Sequence, residues 1–224
     1  MATNPEHHVV WDWTVRLVHW LMVILVLLLW WTAEEGMMDW HKRCGLTMLG
    51  LVIFRIIWGF AGSWTARFVP MFRRLGSLGS YVRDLKNGLH KPVFGHGPLG
   101  ILSVFALLGA LSVQVGTGLF SVDVDGLESG PLAIWVSFST GRDIADIHEL
   151  NFDILSTLIS LHVVAILVYQ FILKDNLIPP MVTGKRPVSD FTASTVPTIT
   201  AGFWAFVLSA GIASGSVYAV LYAV

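Results

Sequence analysis

Residues 148–162 read HELNFDILSTLISLH, and this stretch decides the architecture. It carries seven apolar residues in fifteen and no Gly or Pro, and is bracketed by two histidines 14 residues apart. At about 100° per residue, 14 residues bring the second histidine back to nearly the same helix face, about 21 Å further along the axis. Two imidazoles on one face, most of a bilayer apart, point to two sites stacked within one helical bundle.

Working outward, four more stretches reach the roughly 20 apolar residues that a spanning helix needs. The five spans lie near 15–33, 42–62, 98–120, 148–173 and 200–223. The first contains LMVILVLLLWW (21–31). No Lys or Arg precedes Arg16 and no small-residue cleavage site follows, so it is read as a retained span rather than a signal peptide. Composition agrees. Hydrophobic residues are 54% and charged residues 13% of 224, too few charges to cover a water-soluble surface. The same figures exclude a disordered chain. A net charge of −1 gives no basic face for nucleic acid. The single cysteine, Cys44, excludes an intramolecular disulfide, a four-cysteine iron–sulfur site and C-x-x-C-H attachment of haem. The longest segment between spans, about 35 residues, is too short for an independent soluble core. The expected fold class is therefore all-α, an integral membrane helical bundle.

Basic residues orient it. Arg67, Arg73, Arg74, Arg83, Lys86 and Lys91 lie between spans two and three, and Lys174, Lys185 and Arg186 follow span four. The alternate side holds only Lys42, Arg43 and Arg142, against Glu34, Glu35, Asp39, Asp123, Asp125, Glu128, Asp143 and Asp146. This predicts a cytoplasmic N-terminus, an outside 121–147 loop and an outside (periplasmic) C-terminus. RFVPMFRRLGSLGSYVRDL (67–85) interleaves apolar and basic residues, as in a helix lying at the interface on anionic lipid or in a solvated basic loop.

Ionisable side chains inside a membrane are expensive and mark function. Of eight histidines, His19, His41, His148 and His162 fall within or at the ends of spans. His41 and His148 both start spans at the outer surface, while His19 and His162 both lie in the inner half. Each pair takes one histidine from span four and one from another span, which is what a planar haem ligated from both sides requires. Neutral imidazole is a good iron ligand. The expected metal ligands are His41 and His148 for an outer haem, and His19 and His162 for an inner one. Arg55, in the middle of LGLVIFRIIWGF (49–60), is level with the inner pair, where a haem propionate would neutralise it and accept its forked hydrogen bonds; the alternative is snorkelling. Arg16, one turn before His19, either does the same or pairs with Asp12 at i−4. Trp20 is placed to touch the inner haem. Gly45, Gly50, Gly59, Gly109, Gly116 and Gly118 either make room for a macrocycle or allow close helix packing. Cys44 reads as a small buried hydrophobe.

Taken in order, WDWTVRLVHW (11–20), HKRCGLTMLGLVIFRIIWGFAG (41–62), GHGPLG (95–100), GPLAIWVSFS (130–139), IHELNFDILSTLISLHVV (147–164) and NLIPPMVTGKRP (176–187) resemble the prokaryotic di-haem cytochrome b family. That family comprises the bacterial cytochrome b561 proteins and the b-type cytochrome subunits of nickel–iron hydrogenases. The resemblance implies a four-helix core holding two non-covalent b haems through the same four histidines. It further implies electron exchange between the quinone of a respiratory chain and a redox partner at the bacterial inner membrane. His96, in GHGPLG, matches a motif position but no ligand position; it reads as a propionate or quinone-site group, or as an interfacial cap on span three. The di-haem domain would cover 1–187. Residues 188–224 depart from the pattern with a fifth span, whose Ala210, Gly211, Ala213, Ser214, Gly215 and Ser216 suit docking of a partner or another copy, or completion of the bundle.

The functional expectation is a transmembrane electron carrier relaying electrons through two b haems. Its acidic outer loop suits a periplasmic c-type cytochrome, with a hydrogenase small subunit as the other protein partner. A stand-alone quinone-coupled oxidoreductase acting on superoxide is the family alternative. A His-lined metal or proton transporter is the competing class. Against it, only Asp153 supplies an intramembrane carboxylate, and no broken helices are evident. A purely structural membrane anchor gives no account of Arg55 or of paired histidines.

Overall fold

The computed structural model describes residues 7–191 and 201–223. Five of its helices are long and apolar enough to cross a membrane, as expected for an all-α, multi-pass membrane bundle. They are α1 (Trp13–Glu34), α2 (Met38–Ala61), α5 (Pro98–Gly118), α6 (Phe138–Phe171) and α8 (Phe203–Leu221). β1 (His7–Val9) precedes them, and between them lie α3 (Phe68–Leu75), α4 (Leu78–Lys86), α7 (Ile178–Thr183) and β2 (Lys185–Pro187).

Local chemistry sets the helix ends. Asp12 caps α1 by accepting from the Val15 amide at 2.7 Å. The same carboxylate accepts from Trp58 Nε1 at 3.4 Å and from Ser63 Oγ, so one residue joins the start of α1 to the end of α2. Gly36, at φ +65°, turns α1 into α2. Pro98 opens α5 at its first turn, where no amide hydrogen is needed.

The start of α6 corrects the expected boundary. The helix begins at Phe138, ten residues before the expected 148, with Ser137 as cap accepting from the Thr140 amide at 3.2 Å. Its 34 residues amount to about 51 Å, well beyond a hydrocarbon core of about 30 Å. Hydropathy locates lipid contact, whereas the helix continues into the polar layer until a cap stops it. Asp143 and Asp146, expected in a loop, therefore stand on α6, and His148 sits three turns inside it rather than at its first residue.

α2 is central: α1, α5 and α8 all pack on it, while α6 leans on α5. α8 completes the bundle. Phe206 packs on Phe54 and Trp58, Ser209 and Ala213 are buried, and a Cβ on Gly50 would lie 3.3 Å from Val217. At the acidic end, Lys42 pairs with Glu128 at 2.8 Å, holding the 121–137 loop over the start of α2. At the basic end, α3 buries Phe68 and Met71 and leaves Val69, Phe72 and Arg73 exposed, so of the two readings open for 67–85 the helical one holds there. β1 pairs antiparallel with β2 there, and Asp175 binds Arg186 at 2.6 Å and His90 at 2.9 Å. Tyr81 and Tyr169 share a hydroxyl contact of 2.7 Å that ties α4 to the end of α6.

Candidate functional site

The four intramembrane histidines converge in two places. Towards the acidic end, the His41 and His148 ring centres are 6.5 Å apart with planes at 79°. His41 turns Nδ1 onto the Leu29 carbonyl at 3.0 Å, which leaves Nε2 as its free ligand nitrogen. His148 turns Nδ1 onto Thr117 Oγ1 at 3.0 Å. A metal–imidazole bond is about 2.0–2.1 Å. Two such bonds end to end, plus half of each ring, come close to the observed separation, so the pair fits a metal held between two planes. Gln114 is the obstacle: its Nε2 stands 3.1 Å from His148 Nε2. Asn151, only 8% exposed, holds Gln114 Oε1 at 2.6 Å and donates to the Ala110 carbonyl at 3.0 Å. For His148 Nε2 to hold a metal, the Gln114 amide would have to turn aside.

Towards the basic end, His19 of α1 and His162 of α6 are charge neighbours around His96. His162 sets Nδ1 3.0 Å from Ser103 Oγ. The same ring borders a cleft of about 230 Å³ between α5 and α6, lined also by Leu102, Ala106, Leu158, Leu161 and Ala165. Nδ1 of His19 is sealed from solvent without a partner, and Trp20 stands edge-on to its ring at 5.2 Å while donating to the Met181 carbonyl at 3.1 Å.

His96 does not cap α5; the N-cap is Gly97, with no side-chain bond. Its ring lies instead deep among the helices, 4.5 Å from Trp11, with Nδ1 lacking a partner. Burial, then the cations Arg55 and Arg74 with His162 and His19 beyond them, push its pKa down to about 3, so the ring is neutral at physiological pH. Arg74 fixes the backbone there, donating to the carbonyls of His96 at 2.7 Å and Phe94 at 2.9 Å. All five of these histidines are largely covered by the protein without being fully buried.

Arg55 has no ion pair among the described residues. It lies over the Phe68 ring at 5.2 Å and reaches the Ala66 carbonyl only at 3.4 Å. Its one carboxylate neighbour among the described residues is Asp12, already occupied by the Val15 amide, Trp58 and Ser63, so the guanidinium keeps donors for a further anion. Arg16 does not pair with Asp12, whose carboxylate is turned back to cap α1 and bind Trp58 and Ser63. It donates to the Val182 carbonyl, and its Nε is buried without a partner.

The glycines divide between the two expectations. Gly50 and Gly59 serve helix packing, against Val217 and Phe68, and Gly118 lets His148 lie against α5. A Cβ on Gly45, Gly109 or Gly116 would meet nothing within 4 Å. Ser103, Gln114, Thr117 and Asn151 escaped the sequence reading. Their signal was present: Asn151 follows His148 by three residues, and Gln114 and Thr117 stand three apart on a helix whose other polar side chains are two serines, Ser103 and Ser112.

A family model described as prokaryotic cytochrome b561 matches residues 10–184. No curated protein and no solved structure matches the chain.

Proposed function

Because the chain belongs to the prokaryotic cytochrome b561 family, transmembrane b-type cytochromes of electron transfer, we propose that it holds two b haems, each between two histidines. His41 and His148 hold the one at the acidic end, and His19 and His162 the one at the basic end. The observation that carries this reading is the His41–His148 pair, with ring centres 6.5 Å apart and both Nδ1 atoms turned onto acceptors. Those acceptors fix the tautomer that presents Nε2 to a metal. The haem, when bound, supplies one-electron redox chemistry.

The side chains around it supply the rest. Arg55 takes a propionate at the basic end, which satisfies its charge; Arg16 and His96 stand in the same vicinity. Apolar walls of α2, α5 and α6 keep water from both sites. The cleft beside His162, apolar and open between α5 and α6, suits the head of a membrane quinone. We place the basic end on the cytoplasmic face of a bacterial inner membrane, with the acidic end facing a periplasmic c-type cytochrome or a hydrogenase small subunit.

A pyridine haemochrome assay on the purified full-length protein tests the reading. It should give about two b haems per chain, extractable with acid acetone because no cysteine thioether holds them. One haem, none, or a covalent haem overturns it.

The protein partner is tested by salt. Asp125, Asp143 and Asp146 are exposed at the acidic end. Charges there act through solvent and are screened over about 10 Å at 0.1 M ionic strength. Electron exchange with a basic c-type cytochrome should slow as salt rises. Changing these three residues to Asn should slow exchange at low salt and flatten the dependence. A rate indifferent to salt and to the substitutions means a small molecule such as superoxide, or docking elsewhere.

A further inference from the structure

Building on the bis-histidine reading, we infer that the hydrogen bonds behind the four histidines make the acidic-end haem the more reducing of the two, so that an electron on the protein rests at the basic end. The four rings have unequal support. His41 Nδ1 faces a backbone carbonyl, that of Leu29, at 3.0 Å. His148 Nδ1 faces Thr117 Oγ1 at 3.0 Å, and that hydroxyl is itself anchored, donating to the Val113 carbonyl at 2.8 Å. With its proton committed, the hydroxyl can only accept from the ring, and its donation strengthens that acceptance. At the basic end, His162 Nδ1 also faces a hydroxyl, Ser103 Oγ, at 3.0 Å, but among the described residues that hydroxyl donates to no carbonyl. His19 Nδ1 is buried and faces no acceptor.

An acceptor on the outer N–H makes an imidazole a stronger electron donor to its metal. A richer ligand favours ferric over ferrous iron and lowers the reduction potential, one of the levers a protein has over haem. The acidic-end pair has two firm acceptors; the basic-end pair has one loose hydroxyl and one orphan. Fixed charge acts in the same sense at the basic end, where Arg55 and Arg74 are charge neighbours of His96 beside the second pair and favour ferrous iron. At the acidic end Arg142 pairs with Asp146 at 3.3 Å and Lys42 with Glu128 at 2.8 Å, so those carboxylates are compensated and the hydrogen bonds carry the difference. Thr117 and Ser103 are thus positioning residues that act through the histidines.

The experiment is a potentiometric titration of the purified holoprotein followed in the visible spectrum, after the haem count is known. Each component is assigned from His41→Ala and His19→Ala, which leave one haem each. The acidic-end haem should titrate at the lower potential. Thr117→Val keeps the side chain's shape and removes the acceptor. It should raise the acidic-end midpoint by about 59 mV, a tenfold change in the ferric-to-ferrous ratio for one electron, and leave the other midpoint in place. Thr117→Ser should restore the wild-type value, which a packing defect would not allow. Ser103→Ala should move only the basic-end midpoint, and by less. Two haems with equal or reversed midpoints overturn the inference, as does a Thr117→Val protein with two haems and an unmoved acidic-end potential. Fewer than two haems in the wild type overturns instead the ligation reading beneath it.

Discussion

Replacing His41 with Ala is expected to remove the acidic-end haem and leave the other, and replacing His148 should remove the same one. His19→Ala and His162→Ala should each remove the basic-end haem. The effect would be the loss of a whole cofactor, because a group held by two histidines would lose half of its attachment with either one. The assignment follows from which rings meet: His41 is 6.5 Å from His148, whereas His19 and His162 share the neighbourhood of His96. A redox titration of each variant should show one surviving component, the same within a pair and different between pairs. His96 is the control. It lies beside the basic-end pair, neutral and with a free nitrogen, yet belongs to neither pair, so His96→Ala should keep both haems. If His19→Ala and His41→Ala lose the same component, or His96→Ala loses one, the pairing is wrong.

Arg55→Leu should lower the basic-end midpoint and leave the acidic-end one nearly unchanged. A cation beside the site disfavours the extra positive charge of ferric iron, so removing it stabilises the oxidised form and the potential falls. A unit charge about 10 Å away at an effective dielectric of about 20 is worth about 1.7 kcal/mol, roughly a tenfold to twentyfold change in the ferric-to-ferrous ratio. Arg55→Lys retains the charge but not the fork, and should give an intermediate shift. Equal shifts at both haems, or none, reject a propionate contact at Arg55.

The spans were legible because lipid contact imposes a composition that no other environment does. Both histidine meeting points were legible for a related reason: depth in a membrane can be counted in residues along a helix, so His41 with His148 and His19 with His162 follow from spacing. What escaped depends on side-chain direction. Asp12 stands four residues before Arg16, but its carboxylate folds back onto the Val15 amide, and local capping outcompetes an exposed ion pair. His96 sits one residue before the α5 N-cap, where a cap is the economical expectation. It is drawn inward instead by Trp11 and by Arg74 holding its carbonyl, contacts made across 85 and 22 positions of sequence. Gln114 and Asn151 matter only because α5 and α6 pack, and a single helix pattern does not report which polar residue meets which. α8 had three readings open from its small residues; it packs on α2 through Phe206, Ser209 and Ala213, while Gly211, Ser214 and Gly215 are exposed and leave its other face open to a partner or a second copy.

The unbroken course of α6 has a consequence for how this chain can change over time. His148 and His162 ride on one helix, with no bend or bulge between them to absorb a change of length. Inserting or deleting one residue between them would swing His162 by about 100° and take it off its partner. Even a seven-residue insertion, which restores the face to within about 20°, would push the two sites about 10.5 Å further apart. Drift within 149–161 is therefore confined to substitutions.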